Sequence, residues 1–496
     1  MNAMTAWPSR WRSGVVGALV LVFWLMGGST QAWAQHEGEE KEEEHDESES
    51  RFSDEPIPLA DIPKRPPPLI ELGEPFLGTG TLSQGIKLPT GAVWQPAFLA
   101  FGTIRTAAQG LDNGVANTQF AEGTSRFDLF GNLYLTQSER VLIGFRPLDE
   151  DGAFTRYTFS SDPELPDSLA DFQDELNFNI RTLFFEGDLG EIFPGLDWND
   201  SGGLDIGFSV GRQPLSFQDG LLINEDAIDA VGLTRANVKI GGLVNTRITG
   251  LFAWGDIDRT MALGNRGDKS AWLVGLFTES DSRKRTVEFD ALYVSADDST
   301  GRGLYLGLGS TRRIGHYNHT FRTVASFPVG DEMEANRQGV LLHNQFSWTP
   351  YHTYNLIYIN NFVGIGEFRS AARGPAAGGP LGRTGILFAA VGLGRYGAAL
   401  GNGADNAVGG SIGYQMFFAG TRQQLVLEAG GRYTYDEDTI GPRDALAAGA
   451  RYQIAVGRRG VIVFDAFGSY DIDSVELVGD SSELSFGGRF EVVVKL

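Results

Sequence analysis

The final fourteen residues, Glu483 to Leu496, alternate to the last position of the chain. Leu484, Phe486, Gly488, Phe490, Val492, Val494 and Leu496 fall in one phase. Ser485, Gly487, Arg489, Glu491, Val493 and Lys495 fall in the other. Side chains alternate along a strand, so this segment has one apolar face and one largely polar face. A long terminal strand in an open sheet is an edge that invites aggregation. In a closed barrel it pairs with the first strand, and a barrel in lipid is apolar outside and polar inside. The competing fold is a soluble β-domain whose charged face meets water.

The other end of the chain favours the barrel. Arg10 and Arg12 precede an apolar run from Gly14 to Met26, followed by Ala32-Trp33-Ala34. That is the layout of an export signal cleaved after Ala34, with an apolar run too short for a spanning helix. No later run of 18 apolar residues occurs, so a membrane form of the mature chain has to be a barrel. There are no cysteines, which excludes disulfides, thiol catalysis, Cys-ligated zinc, iron–sulfur clusters and c-type haem. The formal net charge of -23 argues against nucleic acid as a partner.

Residues 35–50 form an acidic tract with nine acids against one lysine, expected to be disordered. Six prolines between Pro56 and Pro68 read as an extended linker. The expected organisation is a signal peptide (1–34), a disordered periplasmic extension (35–84) and an all-β transmembrane barrel (85–496). About 23 residues per strand and connection gives about 18 strands, within a range of 16–18. An even count returns both termini to one side.

Within the barrel region the charges fall opposite the aliphatics. Phe127, Leu129, Leu133 and Leu135 oppose Arg126 and Asp128; Leu425, Leu427 and Ala429 oppose Glu428 and Arg432; Leu446, Ala448 and Ala450 oppose Arg451. A cation facing mid-bilayer costs roughly 2–4 kcal/mol, so the charged phase belongs to the lumen. Short connections (Gln137-Ser138, 349–352, 457–459) are expected to alternate with long ones (160–176, 193–203, 364–384, 437–443). Phe346, Trp348, Tyr351 and Tyr354 read as part of an interface girdle.

Residues 178–235 have a different texture. They carry Gly211-Arg212-Gln213, then Phe217, Asp219 and Gly220, then a returning strand with Asp229, Val231 and Leu233. This stretch resembles the alginate-export porins of the outer membrane. The resemblance implies an 18-strand monomeric channel, while 40 Lys and Arg against 63 acids departs from an Arg-rich polyuronate conduit.

Arg212 falls in the outward phase with Phe208 and Val210. It lies at the membrane edge, or a bulge near Gly211-Arg212 turns it inward, which is the arrangement expected here. Turned inward beside Asp205, Asp219 or Asp229, it would build a charged constriction or staple an internal loop to the wall. Gln213 shares the lumen phase. The remaining lumen candidates are Arg126, Asp128, Arg181, Arg432, Arg451 and Arg489.

The expected function is passive passage of small hydrophilic solutes, anionic or saccharide. A polysaccharide exporter, or a scaffold whose acidic tail binds a periplasmic partner, are the alternatives. Expected partners are outer-membrane lipid and lipopolysaccharide, the solutes themselves, and the barrel-assembly machinery through the C-terminal strand. No enzymatic activity or cofactor is expected. Gly392–Gly397 matches G-x-G-x-x-G, but without a βαβ unit it does not indicate a dinucleotide site.

Overall fold

The computed structural model describes residues 66–73, 84–112, 119–136, 138–159, 171–196, 203–261, 264–268, 270–296, 300–436, 444–472 and 484–496. The expected signal peptide and acidic tract lie outside these residues. Eighteen strands close into an antiparallel barrel. In chain order they are β1 (Ala97–Asp112), β2 (Phe120–Tyr134), β3 (Arg140–Phe145), β4 (Ile180–Asp188), β5 (Gly207–Phe217) and β6 (Ile223–Val238). Next come β7 (Asn245–Trp254), β8 (Trp272–Asp281), β9 (Arg285–Ser295), β10 (Gly303–Ile314), β11 (Tyr317–Pro328) and β12 (Gly339–Trp348). The series ends with β13 (Leu356–Gly366), β14 (Ala407–Phe418), β15 (Gln423–Thr434), β16 (Ala445–Val456), β17 (Gly460–Asp471) and β18 (Leu484–Lys495).

The terminal strand closes the sheet. Phe486 lies opposite Asp112 and Lys495 opposite Thr103, and the Leu496 N–H donates to the Gly102 carbonyl at 2.8 Å. Both ends of the barrel chain therefore meet at one rim, called here the terminal rim. The opposite rim is the loop rim. Outward residues are apolar and exposed, as at Phe486 (60%) and Leu446 (58%), whereas Glu491 (2%) and Arg432 (3%) in the inward phase are buried. That distribution is what lipid outside and a filled lumen inside require. Trp254, Trp272 and Tyr293 mark the loop rim, with the Trp272 and Tyr293 rings 5.6 Å apart. Tyr317 and Trp348 meet edge-on at 5.7 Å near the terminal rim, with Tyr351 and Tyr354 exposed in the turn beyond.

Two expectations change. The connection between β4 and β5, which contains 193–203, lies at the terminal rim together with the short turns, so long connections are not confined to one rim. Residues 70–72, assigned by sequence to the extension, form a short strand paired with Phe98–Ala100. The Arg459 guanidinium adds a bond to the Pro67 carbonyl at 2.8 Å.

The lumen at the loop rim holds a hydrophobic core. Leu273, Leu341 and Phe362 on the wall pack with Leu222 and Ile223 from the β5–β6 hairpin, and with Phe368, Leu381, Leu387, Phe388 and Leu400 from the β13–β14 connection. The hairpin Ile257–Met261/Gly264–Asp268, between β7 and β8, adds Ile257. It is anchored by the buried Arg259, which donates to Tyr305 Oη at 2.7 Å and to the Ala335 carbonyl at 3.2 Å.

Candidate functional site

The β13–β14 connection, residues 367–406, is the element that shapes the lumen. Burying its backbone requires partners for its polar groups, and the wall supplies them. At its start Ala372-Arg373 pairs in parallel with Ile223-Asn224. Ser370 Oγ donates to the Leu221 carbonyl at 2.7 Å, and the Arg373 guanidinium donates to the Gly220 carbonyl. Burial, aided by the neighbouring Arg383, pushes Arg373 down to about 9. Arg369 ties the two ends of the connection together through Glu367 at 3.0 Å and Asp405 at 2.7 Å.

The middle of the connection crosses to other parts of the wall. The Ile386 N–H donates to Glu428 Oε2 at 2.7 Å. Arg432 donates to the carbonyls of Leu400 (2.9 Å) and Gly403 (3.2 Å). Residues 391–395 lie against β1 and β2. Arg105, Arg126 and Gln109 donate to the carbonyls of Val391, Gly392 and Leu393 at 3.3, 3.2 and 3.1 Å. Glu122 accepts from the Arg395 N–H at 2.7 Å and from its side chain at 3.0 Å. This is the G-x-G-x-x-G segment. Gly394 has φ +63°, and a Cβ there would lie 2.3 Å from both Gln109 Nε2 and Glu122 Oε1. The glycine lets the connection's backbone approach the Gln109 and Glu122 side chains closely, and its spacing has no connection with phosphate binding.

The charged wall consists of two networks. In the first, Arg126 chelates Asp128 (2.8 and 3.1 Å), and Asp128 also accepts from Arg146 at 2.8 Å. Arg146 continues to Asp226 at 2.5 Å, and Arg181 joins Asp226 (3.3 Å) to Asp151 (2.6 Å). In the second, Arg105 meets Glu491 at 2.5 Å, Glu491 accepts from Arg489, and Arg489 shares Asp465 with Arg451, which contacts it at 2.6 Å. Arg126, Asp128, Arg181, Arg432, Arg451 and Arg489 thus all face the lumen or the connection inside it.

Arg212 and Asp229 do not. They pair side by side at 3.1 Å, directly opposite on β5 and β6, in the phase of Val210, Val231 and Leu233. Asp229 in turn lies opposite Trp254, so the pair sits on the outer surface at the loop-rim aromatic row. Register is unbroken from Gly207 to Gln213, and the slip comes only between Gln213 and Leu215, one residue too late to turn Arg212. The expected inward bulge at Gly211-Arg212 is therefore absent, and the edge placement holds. Asp205 is exposed in the terminal-rim turn before β5, and Asp219 sits exposed on the 218–220 turn at φ +55°. Neither touches Arg212. Gln213 is buried in the lumen phase, donating to the Ala230 carbonyl at 3.3 Å.

Sequence reasoning missed Arg105, Glu122, Arg146, Asp226, Arg395 and Glu491 as partners. It also missed the plug. A signal for the plug existed: at the loop rim both phases of a strand are apolar, as in Tyr293-Val294, Leu304-Tyr305 and Val340-Leu341-Leu342. A wall with apolar residues on both faces has something apolar inside it.

No protein-family model and no curated protein matches the chain in sequence. Solved structures do match its fold. A BenF-like porin from Pseudomonas fluorescens Pf-5 superposes with a TM-score of 0.53 at 12% identity, over 80% of this chain and 98% of that one. Pseudomonas aeruginosa OccK2 (OpdF) in complex with glucuronate gives 0.52 at 12%, with the same coverage. Pseudomonas aeruginosa OpdK with vanillate gives 0.51 at 11%, again over 80% and 98%. At such identities the likeness is one of fold: this chain has the barrel of outer-membrane porins.

Proposed function

We propose that the protein is an outer-membrane channel through which small hydrophilic solutes pass by diffusion. The observation that carries this reading is the 40-residue stretch 367–406 folded across the lumen of a closed barrel and bonded to a charged wall. A barrel serving only as a scaffold needs no such internal connection. A loop that narrows a polar passage, beside fixed charges, is how a pore selects solutes. Two structurally similar porins were solved with the small organic acids glucuronate and vanillate, which supports solutes of that size. The resemblance of residues 178–235 to alginate-export porins fits the same barrel class. The apolar plug at the loop rim weighs against a wide conduit for a polymer.

Export would begin with the leader 1–34, cleaved after Ala34, and would leave a periplasmic extension that is acidic over 35–50 and then Pro-rich. The strand Leu484–Lys495 would present its lipid-facing aromatics to the assembly machinery, and the outer surface would meet lipid and lipopolysaccharide. N-terminal sequencing of the mature protein checks the leader. Single-channel conductance of the purified chain in planar bilayers, with reversal potential under a salt gradient, tests the channel. Stable conducting steps are expected. A folded, heat-modifiable barrel that never conducts would sink the reading.

A further inference from the structure

On the terminal side of the plug lies a cavity of about 450 Å³ whose lining includes Gln345, Asn360, Gln415, Gln424, Gln453 and Arg451, roofed by Gly385-Ile386. The five carboxamides come from five successive strands, β12 to β16, all in the inward phase. Gln345 stands directly opposite Asn360, and Gln424 directly opposite Gln453. Among the described residues none of the five carboxamide groups is engaged in a hydrogen bond. By contrast, the charges around the cavity are taken up. Arg451 donates to Asp465 at 2.6 Å. Glu428 accepts from Tyr358 and from the Ile386 N–H at 2.7 Å.

We infer that this cavity is a binding subsite for an uncharged, polyhydroxylated solute, a saccharide of one or two rings; this rests on the channel reading above. Each carboxamide offers two N–H donors and an acceptor oxygen, and each sugar hydroxyl is both donor and acceptor. A carboxylate is acceptor only and would leave every amide oxygen facing it unpaired. Arg451 is held by Asp465 through Nε, and the five amides beside it in the lining are neutral. Adjacent strands stand about 4.8 Å apart, a separation close to that of hydroxyls across a sugar ring. The volume lies in the usual range of small-molecule sites, about 300–1,000 Å³. The subsite therefore favours neutral sugars over the organic acids held by the similar porins.

Saturation-transfer NMR on the detergent-solubilised full chain, with maltose and glucuronate as probes, reads binding without requiring conduction. Maltose is expected to show saturable transfer and to displace weakly bound glucuronate. Gln424→Met and Gln345→Met, which keep side-chain length and leave the lipid face alone, should each weaken maltose binding by about tenfold. Heat-modifiable mobility confirms that the variants fold. Preference for glucuronate, or maltose binding unchanged in both variants, would overturn the inference. The planar-bilayer recording separates the two readings: a barrel that conducts but binds no maltose refutes the subsite alone. One that binds maltose but never conducts refutes the channel alone.

Discussion

Arg181 and Arg212 show how a single backbone irregularity decides a residue's role. Strict alternation from Leu183 and Val210, which face outward in the structure, would carry both outward, although Arg181 is expected in the lumen on sequence. At Arg181 the β3–β4 register slips by one residue, and Arg181 is the extra one, turned to Asp226 and Asp151. At Arg212 the register holds, and the side chain stays outside with Asp229. The sequence shows the alternation but carries no mark of where a slip falls, because a bulge is chosen by the fit of both strands. Arg212→Ala is expected to leave the reversal potential unchanged and to cost at most about 1 kcal/mol, as for exposed ion pairs. Arg181→Ala removes the cation shared by Asp151 and Asp226, and should shift the reversal potential toward cation preference; a shift of equal size in Arg212→Ala would contradict the placement. Asp258, on the inward hairpin outside the strands, gives a pH-dependent prediction. Burial pushes its carboxyl up to about 7, with Asp256, Asp226 and Asp151 adding to the rise and Arg181 opposing it. A carboxyl raised above its ordinary value of about 4 keeps its proton longer in the docked hairpin than in the free one. Docking is therefore most favoured below about pH 4, weakens as pH rises toward 7, and is constant above that. Current noise in planar bilayers should increase between pH 5 and pH 8, and Asp258→Asn should abolish the increase.

At the scale of elements, strands were legible and connections were not. The strand Arg140–Phe145 and the strands from Gln423 to the C-terminus are visible in the alternation of aliphatic and charged residues, since lipid enforces that pattern on every crossing. No such rule governs the segment 367–406. It reads as a glycine-rich loop, and its burial depends on partners as distant in sequence as Arg105 and Gln109. Only the doubled apolar faces at the loop rim hinted at what those walls contact. Two substitutions test the plug. Gly394→Val forces a β-branched residue into a left-handed conformation, costing roughly 1–3 kcal/mol, and drives its Cβ onto Gln109 and Glu122. The tip should leave the wall, raising single-channel conductance while heat-modifiable mobility is retained. Phe388→Ala removes a fully buried ring that meets Phe362 edge-on at 5.5 Å. The plug should weaken by about 3–5 kcal/mol, seen as faster proteolysis of the connection in an intact barrel.

For the whole molecule, closure places opposite demands on neighbouring residues of one strand. Phe490 and Glu491 are adjacent in β18. Phe490 is 41% exposed on the outer face with its ring 5.1 Å from Phe464, and Glu491 is 2% exposed inside, held by Arg105 and Arg489. Alternation alone identified the two faces. It could not tell whether the inner one meets water or a plug, because both accept the same polar phase. Phe490→Arg puts an unpaired cation in lipid near the middle of the strand, at a cost of roughly 2–4 kcal/mol. Glu491→Gln leaves the outer face alone and frees Arg105 and Arg489 for the passage. Urea titrations of the barrel in lipid vesicles, followed by tryptophan fluorescence, should give a lower midpoint for Phe490→Arg. Conductance of the fraction that folds should be near that of the parent. For Glu491→Gln the reversal potential should move toward anions, because the wall loses one negative charge while keeping both arginines. A soluble β-domain requires the reverse, with Phe490→Arg tolerated and Glu491 exposed to solvent. The two variants measured together therefore test which face of the terminal strand meets lipid, and through it the closure of the sheet.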